Sequence, residues 1–404
     1  MTVAAASDLA RWRAETPGCE HLVHLNNAGA ALVPRPVRNA IDAHLDLEDR
    51  LGAYEAAEAQ TARLQETYEG VARLLGAHAR NIALLQNSTI AFAQAVSAFD
   101  FEPGDVVLTS RSDYASNQIM YLSLALRRGV EVVRAPDAPE GGVDTDEVRR
   151  LVSRRRPALV ALTWVPTNSG LVQPIEDVGR ICQEAGVPYL VDACQAVGQM
   201  AIDVQRIGCD YLAATARKFL RGPRGVGFLY VSDKRLEAGA HPLLVDMHGA
   251  TWVEADAFDL TPDARRFESW EFAYALVLGL GAAAAYALDV GLENARHRAR
   301  ELAAYARTRL AMLPEVRVLD RGPELCAIVT AAVAGRDTKE IKLALRARGI
   351  NTSSPEREDA VIDMDEKQAS SALRISPHYY NTKEEIDTAV EALQEILSSR
   401  VSSP

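Results

Sequence analysis

Lysine occurs at six positions in this chain: Lys218, Lys234, Lys339, Lys342, Lys367 and Lys383. Five of them sit among charged or helical surface neighbours. Lys218 instead follows the apolar run 211–216 and precedes Phe219-Leu220-Arg221-Gly222-Pro223-Arg224-Gly225. An amine at the end of a buried strand loses hydration, which lowers its pKa and frees the neutral form that Schiff-base chemistry needs. A lysine that lays its stem on apolar surface and keeps its head in water fits the same segment. Upstream, Asp192 ends the apolar run Tyr189-Leu190-Val191, where an acid is costly to bury without a cationic partner. A carboxylate facing a protonated pyridine nitrogen keeps pyridoxal phosphate an electron sink, and Gln195, three residues on, can hydrogen-bond the phenolic oxygen of the same ring. Asp192 as the cap of a following helix is the alternative.

A third group is Ser88-Thr89, which opens the apolar stretch 90–99. Hydroxyls and free N–H groups at a helix start bind anions, although an ordinary N-cap has the same composition. Thr215 and Arg217, just before Lys218, complete a candidate phosphate cup.

The elements that must hold these groups are legible as an alternation. Strands are expected at 106–109, 130–134, 159–164, 189–192, 211–214 and 227–231. Helical stretches are expected at 116–128, 145–154 and 175–185. Apolar strands alternating with amphipathic helices imply a mostly parallel sheet covered on both faces. The uncharged stretch Ala273 to Leu288 is too short for a membrane span and reads as a buried helix. Beyond it charge density rises, and short β-like runs at 316–319, 325–330 and 372–376 with helices at 338–348 and 383–397 indicate a separate α+β domain from about residue 293.

The chain has 404 residues, a net charge of -11, 48% apolar and 25% charged residues, the balance of a soluble globular protein. The acidic balance argues against nucleic-acid or anionic-membrane partners. Five cysteines (Cys19, Cys182, Cys194, Cys209, Cys326) show no paired spacing, so neither a disulfide scaffold nor a zinc site is expected, no metal is called, and a cytoplasmic location is the default.

Taken in order, Ser88-Thr89, Asp192-x-x-Gln195, Thr215-x-Arg217-Lys218 and Gly222-Pro223-x-Gly225 resemble the class V aminotransferase and cysteine desulfurase superfamily of fold-type I pyridoxal 5'-phosphate enzymes. The resemblance runs from Asn26-Asn27-Ala28-Gly29 to the segment Arg374–Thr382. It implies an α/β large domain (26–292) with a mostly parallel seven-stranded sheet, a smaller α+β C-terminal domain (293–404), and an N-terminal segment (1–25) packing with the small domain. It implies Lys218 as the Schiff-base lysine, Asp192 on the pyridine nitrogen and Gln195 on the ring oxygen. Ser88, Thr89, Thr215 and Arg217 would hold the phosphate, and Tyr114 would stack on the ring. Asn168 would reach the ring oxygen or the substrate carboxylate, Arg374 would grip that carboxylate, and Asn27 and Ala28 would line its pocket. A homodimer with active sites at the interface and a small amino-acid substrate follow from the same resemblance.

Two departures narrow the branch. Desulfurases carry a nucleophilic cysteine on the loop before the terminal arginine, and here the interval 351–363 has none. Cys326 lies in a β-like run, where a structural role is expected. Where desulfurases have a Gly-Thr phosphate segment, this chain reads Arg266-Phe267-Glu268-Ser269-Trp270-Glu271-Phe272. That form and the ending Ser376–Thr382 resemble the isopenicillin N epimerase-like proteins, the hercynylcysteine sulfoxide lyases and the S-glycosyl cysteine-processing enzymes of lincosamide antibiotic pathways. The resulting expectation is a C–S β-lyase acting on an S-substituted cysteine. Oxidative deamination with decarboxylation, transamination and epimerisation remain open, as does a binding protein without turnover.

Overall fold

A computed structural model describes residues 6–399. Its central sheet has seven strands: β1 (Ile82–Leu85), β2 (Val106–Ser110), β3 (Glu131–Ala135), β4 (Leu159–Thr163), β5 (Tyr189–Asp192), β6 (Tyr211–Thr215) and β7 (Gly227–Val231). They are ordered β1-β7-β6-β5-β4-β2-β3, and only β7 runs against its neighbours. Every residue of β2, β4, β5, β6 and β7 is buried, as a sheet covered on both faces requires.

Side chains alternate between two cores, as the pleat dictates. Leu108, Val160, Val191, Leu212 and Phe228 join one core, while Val107, Ala161, Leu190, Ala213 and Leu229 join the other. Eight helices of the large region and its flank matter here: α1 (Arg35–Leu51), α2 (Thr61–Leu75), α3 (Ser88–Ser97), α4 (Ala115–Arg128), α5 (Thr145–Arg155), α6 (Ile175–Ala185), α7 (Tyr274–Val290) and α8 (Leu292–Ala311). Residues of α3 and α4 cover one face, and residues of α2, α5, α6 and α7 the other. The uncharged stretch is α7, packed against α1 and α2. No single described helix is long and apolar enough to cross a membrane.

At Gly291 the chain bends by 79° into α8. An exposed hairpin, β8 (Ala250–Glu254) with β9 (Ala257–Leu260), lies between the large sheet and α7 in sequence. A second, antiparallel sheet follows, β10 (Val316–Val318), β11 (Val329–Val333) and β12 (Leu373–Ile375), with α9 (Thr338–Ala347), α10 (Val361–Glu366) and α11 (Lys383–Ser398). Early residues join this region: Val23 and His24 pair in parallel with Ile350 and Asn351, Trp12 packs edge-on to Tyr379 at 5.0 Å, and Arg13 bonds Glu385 at 2.7 Å.

The sequence reading needs four adjustments. It omits β1, whose Ala-Leu-Leu composition favours helix and whose strand state comes from pairing with β7. It omits the β8–β9 hairpin. The β-like run at 325–330 becomes a strand only from Val329. The N-cap of α3 is Asn87, which accepts from the Ile90 N–H at 3.0 Å, so neither Ser88 nor Thr89 is needed for capping.

Candidate active site

The chain runs from β2 outward to β3 and then resumes on the other side of β2 at β4. Ligands of open α/β sheets bind at the carboxyl ends of strands where the order reverses in this way. The loops at these ends carry Asp113 and Tyr114 after β2, Thr167 and Asn168 after β4, Asp192 and Gln195 at β5, and Lys218 after β6.

Lys218 is buried, and its amine has no hydrogen-bond or ion-pair partner among the described residues. Its amine lies 5.9 Å from the centre of the half-buried Tyr114 ring. Burial holds its pKa below the ordinary lysine value. Cys194 and Asp192 oppose that shift, and Arg217 and Arg374 add to it. The lysine is therefore set inside the protein rather than snorkelling to water. Gly198, at φ 91°, makes room for this loop: a Cβ there would lie 2.2 Å from the Phe219 carbonyl carbon.

Asp192 is buried at the end of β5. Its Oδ1 accepts from the Cys194 N–H at 2.9 Å, and its Oδ2 accepts from Asn117 Nδ2 at 3.0 Å. The local bond closes a turn, and the second comes from α4. Asn117 also reaches Asp113 and Thr163, both at 3.3 Å. Burial pushes the Asp113 carboxyl up, against hydrogen bonds from Thr163, Gln118 and the Tyr114 N–H.

A second network surrounds Arg374. Arg374 is buried without a carboxylate within ion-pair distance. Its Nη1 donates to Thr167 O at 2.8 Å and to Thr167 Oγ1 at 2.9 Å, and its Nη2 donates to Asn26 Oδ1 at 3.2 Å. Burial pulls this guanidinium down to about 10, Asp359 opposes, and Arg217 acts with burial. Gln195 Nε2 donates to Thr167 Oγ1 and to Ala28 O, each at 3.1 Å. Arg217 donates to Gly29 O. One threonine thus joins Arg374 to Gln195, and the loop 26–29 is anchored to both.

The remaining expected residues divide. Thr215 is buried at the end of β6, opposite Gly227, whose missing side chain admits the Ser88 N–H: a Cβ there would lie 2.9 Å from Ser88 N. Thr89 is exposed. Asn27 departs from its expected place. Its Nδ2 donates to Ser376 O at 2.7 Å and its Oδ1 accepts from Tyr380, so the amide is directed into the C-terminal region. Asn26 is the residue that meets Arg374. Asn26, Asn117 and Thr167 were given no role from sequence, because each acts through a contact with a distant segment that spacing does not reveal.

The aminotransferase class-V family model matches residues 23–389. The chain belongs to the class-V aminotransferase family. It is 28% identical over 391 residues to a probable cysteine desulfurase of Methanothermobacter thermautotrophicus, covering 95% of this chain and 97% of that protein. It is 30% identical over 387 residues to a probable hercynylcysteine sulfoxide lyase of Mycobacterium tuberculosis, covering 95% and 92%. An Escherichia coli cysteine desulfurase in its S-sulfonic acid form superposes with a TM-score of 0.87 at 26% identity, over 96% of this chain and 98% of that one. A cystine C–S lyase bound to its product cysteine persulfide shares the fold with a TM-score of 0.84 at 22% identity, over 94% and 98%. The family is pyridoxal-phosphate dependent, and this class-V member is an enzyme that uses that cofactor.

The residues present fit that group. Gln195 Oε1, Asn168 Oδ1 and Arg374 Nε are buried polar atoms without a protein partner, and they accompany an unpartnered lysine and a buried acid. Buried polar groups are normally satisfied, so a cluster of open ones calls for a polar ligand.

Proposed function

We propose that the chain is a pyridoxal-phosphate β-lyase that breaks the Cβ–S bond of an S-substituted cysteine. The observation that carries the reading is a complete lysine, acid and arginine set with no thiol offered as a sulfur acceptor. The segment 351–363 lacks cysteine. Cys326 is buried and its thiol is pushed up to about 12 by burial, as is that of Cys194 beside Asp192. A thiol held protonated is a poor nucleophile.

In this reading Lys218 would carry the cofactor, Asp192 would pair with its ring nitrogen, and Ser88, Thr89, Thr215 and Arg217 would hold its phosphate. The cofactor, when bound, supplies the electron sink that stabilises a carbanion at Cα. The chain's own work is to bind, orient and move a proton. Arg374 grips the α-carboxylate and fixes the substrate. The Lys218 amine, whose pKa burial lowers, takes the Cα proton. Asn117 holds Asp192 in place. Departure of sulfur from Cβ with its bonding pair gives a thiol or sulfenate and aminoacrylate, which water converts to pyruvate and ammonia.

The relatives' names support sulfur-bearing amino-acid substrates, and the polar environment supports a polar S-substituent. A cavity of about 250 Å³ is lined among others by Arg111, Asp137, Ser169, Arg321 and Lys367. We propose further that the enzyme is a cytoplasmic homodimer. Leu244, Met247, Trp252, Phe258 and Trp270 are exposed on and around the β8–β9 hairpin, more apolar surface than an isolated chain usually leaves in water. Incubation of the cofactor-loaded protein with a panel of cysteine S-conjugates tests the reading. Pyruvate with stoichiometric release of the sulfur fragment is expected. An aldehyde, or a keto acid that keeps the sulfur, would replace the lyase by a deaminase or transaminase.

A further inference from the structure

A second buried acid is joined to Asp192. Asp113, only 4% exposed, lies on the loop after β2, and five groups converge on its two oxygens. Its Oδ1 accepts from the Tyr114 N–H at 2.7 Å, from Asn117 Nδ2 at 3.3 Å and from the Thr163 hydroxyl. Its Oδ2 accepts from Gln118 Nε2 at 2.8 Å and from the Thr109 hydroxyl at 3.1 Å. No cation among the described residues is within ion-pair distance of it. Arg134 of β3 reaches it only through Gln118, whose Oε1 accepts from the Arg134 Nε at 2.8 Å.

These contacts say what the acid is. A guanidinium only donates, so Arg134 takes the carbonyl end of Gln118 and leaves its NH2 group for Asp113. The Tyr114 N–H is a donor as well, so each oxygen faces one group that can only give a hydrogen bond. The ionised form is the one that accepts from all five, and such donors replace the water that a buried carboxylate has lost. Burial pushes the carboxyl up, the bonds from Thr163, Gln118 and Tyr114 oppose, and the charge of Asp192 acts with burial. The two acids therefore feel each other. Asn117 lies between them: its Nδ2 is 3.0 Å from Asp192 Oδ2 and 3.3 Å from both Asp113 Oδ1 and Thr163 Oγ1. Two N–H bonds thus meet three acceptors, two of them carboxylates. Like charges held this close favour a cation beside them, and neither acid has an ion-pair partner among the described residues.

We propose that Asp113 is a positioning residue for the cofactor: it holds the Asn117 amide against Asp192, and its charge adds to that of Asp192 to keep the ring nitrogen protonated. This rests on the assignment of Asp192 to that nitrogen and deepens it, because the electron sink then depends on two buried acids and the amide between them. The other titratable groups around the pair are Tyr121 of α4, Cys194 and Lys218 beside Asp192, and Arg134 beyond Gln118.

The test needs no substrate, so it is independent of the lyase reading. The long-wavelength absorbance of the cofactor-loaded enzyme is titrated with pH in wild type, Asp113→Asn, Asp192→Ala and the exchanged pair Asp113→Asn with Gln118→Glu. A nearby anion favours a protonated cofactor, so Asp113→Asn should lower the absorbance midpoint by about one pH unit. In the exchanged pair the new amide at 113 donates to the new carboxylate at 118, which accepts from Arg134. The hydrogen bonds and the net charge are kept, but the charge has moved outward to a cation. The pair should fold with the thermal midpoint of wild type while its absorbance midpoint stays low, and it decides the matter if Asp113→Asn alone does not fold. An exchanged pair that titrates like wild type would overturn the proposal, since bonding without the charge would then suffice. An exchanged pair that does not fold would overturn the assignment of donors on which the proposal stands. If Asp113→Asn titrates like wild type while Asp192→Ala loses cofactor or shifts its titration, the positioning role fails and the assignment of Asp192 stands. An Asp192→Ala enzyme that holds cofactor and titrates like wild type would remove that assignment itself.

Discussion

At the scale of the residue, Lys218 is where burial and chemistry conflict most openly. Its amine is depressed by burial, so the folded protein releases a proton at a pH where the unfolded chain, with a lysine value near 10.4, still holds it. Between those two values the unfolded state binds more protons, and stability rises with pH. Cofactor-free wild type should therefore be less stable than Lys218→Met at pH 7, and the gap should narrow toward pH 10 in paired denaturant titrations. Lys218→Ala should lose both the cofactor's long-wavelength absorbance and all turnover, and undiminished turnover would end the mechanism. Arg374→Lys keeps the charge but loses the two-point contact to Thr167. Its KM should rise roughly ten- to hundredfold, with cofactor content unchanged. Lys218 and Asp192 stood out because their residue types are costly where they stand, an amine after a buried strand and an acid at the end of one, whereas Arg374 came only from the family resemblance. Asn117 and Thr167 were not legible, because asparagine and threonine are common in loops and helices. Their importance comes from hydrogen bonds to residues distant in the chain.

At the scale of the element, the loop after Lys218 is gripped from outside the large sheet. Arg221 is fully buried and is in the left-handed region at φ 61°. Its N–H donates to Lys218 O at 2.9 Å, and its guanidinium donates to Leu32 O, Tyr379 Oη and Thr16 Oγ1. It also lies 4.4 Å from the Tyr380 ring centre. No carboxylate is within ion-pair distance, so carbonyl, hydroxyl and aromatic groups carry the charge. Arg221→Ala should cost about 3 kcal/mol or more, because it removes several buried bonds at once. Arg221→Gly should be less damaging by about 1 kcal/mol, since glycine relieves the positive φ; equal denaturation midpoints would show that the backbone there is not strained. The strands β2 and β4 to β7 were readable because each is an apolar run between turn signals, and β3 because Val130, Val132 and Val133 give the run 130–134 a β-branched composition. The first strand was not, because Ile82-Ala83-Leu84-Leu85 reads as helix until β7 is beside it. The β8–β9 hairpin was unreadable for the opposite reason: its side chains are largely exposed, so no burial pattern marks them.

At the scale of the whole molecule, the hairpin and its flanks predict association. Trp252→Glu with Phe258→Glu should shift the mass measured by light scattering from dimer to monomer, while the circular dichroism of the chain stays unchanged. A wild-type protein that is monomeric at micromolar concentration would remove the dimer. The chain is also closed on itself by its early residues. Val23 and His24 join a two-stranded ladder with Ile350 and Asn351, and Thr16 and Leu32 supply acceptors to Arg221. During synthesis these early segments emerge more than three hundred residues before their ladder partners. Until the ribosome has delivered position 351, Val23 and His24 lack their ladder partners, and the lysine loop lacks its final brace. Nascent chains released shortly before that point should be cut by protease near residue 24 and bind cofactor weakly, whereas chains released after the last helix should resist the protease and hold cofactor.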